Sequence, residues 1–283
     1  METTKTLNAD ITPPDRGSGT IAASNITDRS ITLSWTQAVD IVSPQNTLQY
    51  KVVMSEFNNI TDLAQIAANG ITVSDWTTFN SPVTKLNLKR NTTYYFNVVV
   101  KDEAQNMKEY TVTSATTKNA VYIFATTYQY TGNLGGRAGA NAKCVTAYTD
   151  TYSYLGASNV HALVSVSGSD EIRDLPVPVN TTIRGPASDS GVITQNWDDL
   201  LVSGLDLSMI GSKVLTHILN YYWTGSNPDG SLDVGNNCNN WTIGDTTANG
   251  TTGDPNATGS PWLKNYVEKC GGGNTRRILC ICW

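Results

Sequence analysis

Histidine is nearly absent from this chain: two occur in 283 residues, His161 and His217. Each has apolar neighbours in sequence, so each reads as a satisfied structural side chain rather than a catalytic base. No Gly-x-Ser-x-Gly elbow, Cys–His pair or phosphate loop occurs. The expectation is a protein that is not an enzyme and needs no cofactor. Charge is also sparse, at 15% of residues, with a net value of −5. From residue 120 onward 9 basic side chains face 13 acidic ones, so the deficit sits in the second half. Such a balance offers no surface for nucleic acid and disfavours polyanionic sugars. No apolar run approaches the roughly 18 residues that a membrane-spanning helix needs. The opening Met1-Glu2-Thr3-Thr4-Lys5 is polar and unlike a secretory leader. The first 120 residues contain no cysteine.

What is present is unevenly placed. Five cysteines, Cys144, Cys238, Cys270, Cys280 and Cys282, all lie in the second half. Cys144 falls in a short helix-like segment, Cys238 and Cys270 bracket a polar loop, and the last two sit in an apolar terminal strand. This nested layout is how a loop-rich domain is stapled outside the reducing cytosol. It favours a mature secreted or surface chain, its leader already removed, over a cytosolic one. Zinc is disfavoured, because no C-x2-C pair with a second half exists and Cys280-Ile281-Cys282 is too close-set. The asymmetry also argues for two domains, with boundaries read as a linker over 1–15, then 16–118 and 119–283. Abundant Thr, Asn, Ser and Gly suit strands and turns, with little long helix.

In the first half, alternation is regular. Ser30 to Trp35 places Ile31, Leu33 and Trp35 on one face of a strand. Leu48 to Met54 supplies another, Leu86 and Leu88 mark a third, and Glu109 to Thr117 reads as a final one. Thr93 to Lys101 sends Tyr94, Phe96, Val98 and Val100 one way and Tyr95, Asn97 and Val99 the other. Short strands at this spacing indicate a β-sandwich. Trp35, with Leu88, Thr92 and Tyr94 spaced four and two apart, resembles the fibronectin type III family over about residues 10–117. That resemblance implies a core Trp and a corner Tyr tying a loop back to the sandwich. The chain departs from it in the insertion Asp40 to Thr47, in Trp76, and in lacking Arg-Gly-Asp. A spacer role is the expectation.

In the second half, Val121 to Phe124 reads as an entering strand and Gly135 to Val145 as a helix with Ala140, Cys144 and Ala147 inward. Val160 to Val166 returns to strand. Thr194 to Leu201 starts with a helix cap and early acidic residues. Tyr221 to Trp223 is a strand. Gly225 to Asn274 shows little regular signal, and loops this long are commonly functional or disordered. Cys238 and Cys270 enclose most of it, which argues for order.

Several stretches in order resemble the C-type lectin fold, and its endostatin branch more closely. They are Gly139 to Cys144, Val160 to Ser165, Trp197 to Leu200 with Ser203-Gly204, Trp223 to Gly230, then Cys238, Trp241 and Ile278 to Ile281. Phe124 to Tyr128 and Thr131 to Gly136 are similar to the opening of leptospiral endostatin-like surface proteins. The family pattern implies bridges Cys144–Cys280 and Cys238–Cys270, worth roughly 4–5 kcal/mol each at most. By residue position alone, Cys280 and Cys282 share a strand face, so either could meet Cys144. The fold class is therefore expected to be mainly β with a smaller α component: an Ig-like sandwich, then an α+β C-type lectin-like domain.

The functional expectation is a bacterial surface or secreted adhesion protein. Its partners by resemblance are host extracellular-matrix or serum proteins, with glycans as another class, and no membrane contact beyond a removed leader or lipid anchor. The alternative is a calcium-dependent carbohydrate-binding module. Against it, Glu-Pro-Asn, Gln-Pro-Asp and Trp-Asn-Asp are missing, and Asn227-Pro228-Asp229 is only an echo. Asp229, Asp233, Asp245 and Asp254 bring hard oxygens, yet solvated turn carboxylates are the expected reading. The candidate binding residues are Asp229, Asp233, Trp241, Trp262, Tyr266, Arg276 and Arg277. Trp241 also fits a core position, as its family counterpart would, and Trp262 is the better exposed candidate. Arg276 and Arg277 form the local basic pair.

Overall fold

The structure, a computed structural model, describes residues 10–187 and 189–283. Of the linker read over 1–15, residues 1–9 lie outside the described residues. The chain divides into two compact units, the first ending at Lys118 and the second being Asn119–Trp283. The fold is mainly β with a smaller α component.

In unit 1 the strands are β1 (Ile21–Ser24), β2 (Ile31–Trp35), β3 (Gln49–Ser55), β4 (Ile71–Thr77), β5 (Val83–Lys85), β6 (Thr93–Lys101), β7 (Met107–Glu109) and β8 (Thr113–Thr116). One sheet runs β1-β2-β5, the other β4-β3-β6-β7 with β8 also on β6. Every pairing is antiparallel. Ile31, Leu33 and Trp35 from the first sheet meet Tyr50, Val52, Phe96 and Val98 from the second in one core, which makes a β-sandwich. Tyr94 ties the loop before β6, accepting a hydrogen bond from Lys89 N at 2.9 Å. The outer face of β6 is buried too. Helix α1 (Leu63–Asn69), capped by Asp62 on Gln65 N, supplies Ile66 to a second cluster with Val53, Ile60 and Val99. Asn97 in that layer donates to Ile60 O at 2.8 Å, so its amide is not left unpaired.

Two expectations need correction here. Leu86 and Leu88 are not in a strand; β5 ends at Lys85, Leu86 is exposed, and Leu88 N donates to Arg29 O. The stretch Glu109 to Thr117 is not one strand but the end of β7 and then β8. Tyr110 to Val112 break it, with Tyr110 Oη donating to Thr36 O and Thr111 N to Gly19 O.

In unit 2 the strands are β9 (Val121–Ala125), β10 (Val160–Ala162), β11 (Ile183–Arg184), β12 (Val192–Thr194), β13 (Tyr222–Trp223), β14 (Asn249–Gly253), β15 (Tyr266–Lys269) and β16 (Arg277–Cys282). They form one sheet in the order β12-β11-β9-β16-β13-β14-β15, with β10 also on β16. β9 and β16 pair antiparallel at its centre. Both are near-continuous apolar runs because both faces are covered. Val121, Ile123, Leu279 and Ile281 pack on one side with Trp197 of α3 (Trp197–Val202). Tyr122, Phe124, Cys280 and Cys282 pack on the other with Ala140, Cys144 and Ala147 of α2 (Gly136–Ala147).

Three boundaries differ from the sequence reading. Only Val160–Ala162 of the Val160 to Val166 stretch pairs as a strand; Leu163 and Ser165 continue it by single bonds to Leu279 O and Thr224 O. Helix α3 is capped by Asn196, whose side chain accepts from Asp199 N at 2.9 Å, while Thr194 belongs to β12. The stretch Gly225 to Asn274 is not structureless: it holds β14 and β15. β14 escapes sequence reading because it is Asn-Gly-Thr-Thr-Gly, with no apolar alternation. Its Gly250 is needed, since a Cβ there would stand 2.7 Å from Cys238 Sγ and 2.9 Å from the Trp223 ring.

Candidate functional site

Two disulfides frame the loop-rich end of unit 2. Cys144 joins Cys280 with Cα atoms 5.6 Å apart, and Cys238 joins Cys270 at 5.7 Å. These are the pairings that the family resemblance implied. Cys282 is buried on the α2 side and belongs to neither bridge. Cys238 opens a turn in which Cys238, Asn239, Asn240 and Trp241 all have positive φ, between 50° and 61°. Four consecutive left-handed non-glycine residues are costly. The turn is pinned at one end by the disulfide. At the other, Trp241 donates from Nε1 to Ser165 O at 2.8 Å and packs 5.8 Å from Trp223.

The structure corrects the binding role of three candidates. Trp241 is fully buried in the core beside Trp223. Trp262 is 1% exposed, because its indole fills the opposite core among Tyr222, Leu263 and Leu205. Asp233 is 7% exposed and internally satisfied. Its carboxylate meets Lys264 Nζ at 2.9 Å and accepts from Thr251 Oγ1 and Asn236 Nδ2. Burial pushes this carboxyl upward, but those hydrogen bonds and the Lys264 charge outweigh it and hold it below its ordinary value.

The acidic set does not converge. Lys264 also donates to Asn227 Oδ1 at 2.8 Å, so an ammonium bridges two oxygens of the loop. Asp229 is exposed and accepts from Ser231 N and Oγ, with Arg173 3.6 Å away. Asp245 accepts from Thr247, and Asp254 accepts from Asn256 N, each closing a local turn. Among the described residues, the group of three carboxylates within 4.8 Å of one another is Asp10, Asp40 and Asp102, in unit 1. Sequence reasoning missed Lys264, although it is the only basic residue between Gly225 and Glu268.

The aromatic and basic candidates end in different surroundings. Tyr266 is 56% exposed on edge strand β15 and stands edge-on to Tyr221, ring centres 5.9 Å apart. Val267 beside it is 50% exposed, and Ile218 and Leu219 are exposed just before Tyr221. The expected basic pair divides, because successive residues of extended chain point to opposite faces. Arg276 pairs with Glu268 at 2.7 Å. Arg277 donates from Nη1 to the Thr126 and Thr127 carbonyls and has no carboxylate partner among the described residues. The histidines divide as well. His161 stacks on Trp283 at 5.1 Å, and burial, then the Arg137 charge, lower its pKa against the pull of Asp170. His217 is exposed rather than enclosed, its Nδ1 accepting from Leu219 N.

No protein-family model and no curated protein matches the chain. It is similar to solved β-sandwich structures. One, described as a computer-based redesign of a β-sandwich protein, is 22% identical over 39% of this chain and 98% of that one, TM-score 0.29. A fibronectin type III domain derived from a human protein is 17% identical over 39% and 74%, TM-score 0.28. The corresponding domain of human contactin 1 is 16% identical over 42% and 88%, TM-score 0.27. The sandwich assignment of unit 1 rests on its own two sheets and shared core.

Proposed function

We propose that this is a bacterial surface or secreted recognition protein. Unit 2, an endostatin-like member of the C-type lectin fold, carries the binding surface, and unit 1 is a fibronectin type III spacer. Host extracellular-matrix or serum proteins are its partners, and no catalysis is involved. The two disulfides are consistent with an oxidising, extracellular setting. The observation that carries the reading is the edge at Tyr266 and Val267. Both side chains are exposed and Tyr266 stands edge-on to Tyr221, on a polar segment that the Cys238–Cys270 bridge and the Lys264 contacts hold in one shape. A rigid aromatic beside adaptable polar groups is the composition of a protein-binding surface. The calcium-dependent alternative is disfavoured because Lys264 already supplies the positive charge at Asp233 and Asn227.

Solid-phase binding of the full chain to laminin, fibronectin and complement regulators tests this. The double variant Tyr266→Ala, Val267→Ser is expected to weaken binding roughly tenfold or more. EDTA is expected to have no effect. Unchanged binding by a folded, disulfide-intact variant removes the edge from consideration.

A further inference from the structure

Arg277 is a cation with no carboxylate partner among the described residues. Its Nη1 serves two neutral carbonyls, Thr126 O and Thr127 O, while Nε is closed off from solvent with no acceptor. Nη2 makes no hydrogen bond among the described residues. The side chain lines a cavity of about 280 Å³ at the start of β16. No acidic side chain lines it; the walls are Tyr152, three threonines, Asn220 and the apolar Ala125, Val214 and Leu215.

Two further donors in this cavity also lack partners. The Tyr152 hydroxyl makes no hydrogen bond among the described residues, and its ring is held 4.7 Å from Phe124. Burial, then Tyr154, raises the pKa of Tyr152 against the opposing charge of Arg277, so the phenol stays protonated, and it lines the same cavity as the guanidinium. Asn220 is fixed by its backbone N–H on His217 O, leaving its side-chain amide unengaged among the described residues.

An unpaired guanidinium, flanking neutral donors and no competing carboxylate select an anion. The volume suits one sugar-sized ring. Thr151, Thr216 and Asn220 offer partners for hydroxyls, and Val214 and Leu215 offer an apolar wall. We propose that this cavity binds an acidic monosaccharide through its carboxylate, with Arg277 as the anchor and Tyr152 and Asn220 as flanking donors. The site shares no residue with the Tyr266 edge and requires no metal ion.

Titration of the ¹⁵N-labelled full chain with glucuronate, glucose and inorganic phosphate, followed by NMR, tests the assignment. Glucuronate is expected to shift the Arg277 Nε–H signal and the amides of Thr127, Thr216 and Asn220. Glucose is expected to leave them in place. Arg277→Gln is expected to weaken glucuronate binding roughly tenfold. Because Arg277 also ties two carbonyls, Tyr152→Phe provides the second probe: it keeps the ring on Phe124 and is expected to weaken binding about fivefold. No shift with glucuronate, equal shifts with glucose, equal binding of phosphate, or undiminished affinity in both variants overturns the proposal. The Tyr266→Ala, Val267→Ser variant is expected to bind glucuronate normally, so failure of the edge and failure of the cavity are separable.

Discussion

The two units reach a stable fold by different routes. Unit 1 contains no cysteine, and its sandwich closes through antiparallel strand pairing and an alternating apolar pattern. Unit 2 has an equally apolar centre in β9 and β16, but the 50 residues from Gly225 to Asn274 carry little apolar pattern. They are ordered by contacts distant in sequence: the Cys238–Cys270 disulfide, the buried Trp241, and the Asp233–Lys264 pair. A segment with too few apolar side chains to bury can still be structured when covalent closure lowers the entropy of its unfolded ensemble. On the proposed reading, the rigidity gained would hold exposed residues such as Tyr266 in a fixed position for a partner.

That contrast can be broken experimentally. Reduction, or the paired variants Cys144→Ala with Cys280→Ala and Cys238→Ala with Cys270→Ala, is expected to destabilise unit 2. The loss is on the order of 4–5 kcal/mol for each bridge, with the 136-residue separation at the upper end. Calorimetry should show one transition moving and that of unit 1 staying in place. If both move together, the units do not melt independently and the comparison fails. Next in size is Lys264→Met, which leaves the Asp233 carboxylate buried without its ion partner. A cost of about 2 kcal/mol is expected, reduced from the fully buried case because the ammonium is partly exposed. Denaturant unfolding checks it, and unchanged stability would show that the network is not needed for loop order.

The smallest effect concerns pH. The folded pKa of His161 lies below its unfolded value of 6.5, so the unfolded chain takes up the proton first. Stability of unit 2 is therefore fully present above 6.5, falls as the pH drops below it, and levels off once the folded histidine is protonated. His161→Asn should flatten that slope, and an unaltered pH profile would remove His161 as its source.

Legibility in the sequence followed the source of each element's order. β6 was readable to its ends because both of its faces are buried by alternating side chains. Helix α2 and its inward Ala140, Cys144 and Ala147 followed from helical spacing. α3 was placed with its start misassigned, since Thr194 and Asn196 are both capping residues and only the turn of β12 decides between them. Trp262 was misplaced because an indole in a polar loop looks exposed until the opposite core claims it. Lys264 was overlooked because a lone lysine carries no pattern; it acquires meaning only when Asp233 and Asn227 converge on it.

The residues by themselves determined the two-unit division of cysteine content, the apolar strands β6, β9 and β16, and the scarcity of acid–base groups. These depend on composition and on periodicities of two or 3.6 residues, which are local properties of the chain. Only the tertiary structure decided which cysteine Cys144 joins, that Trp241 and Trp262 are core, and that Arg276 is neutralised while Arg277 faces a cavity. Each of those outcomes depends on groups tens of residues apart arriving within bonding distance, and local periodicity carries no information about that encounter.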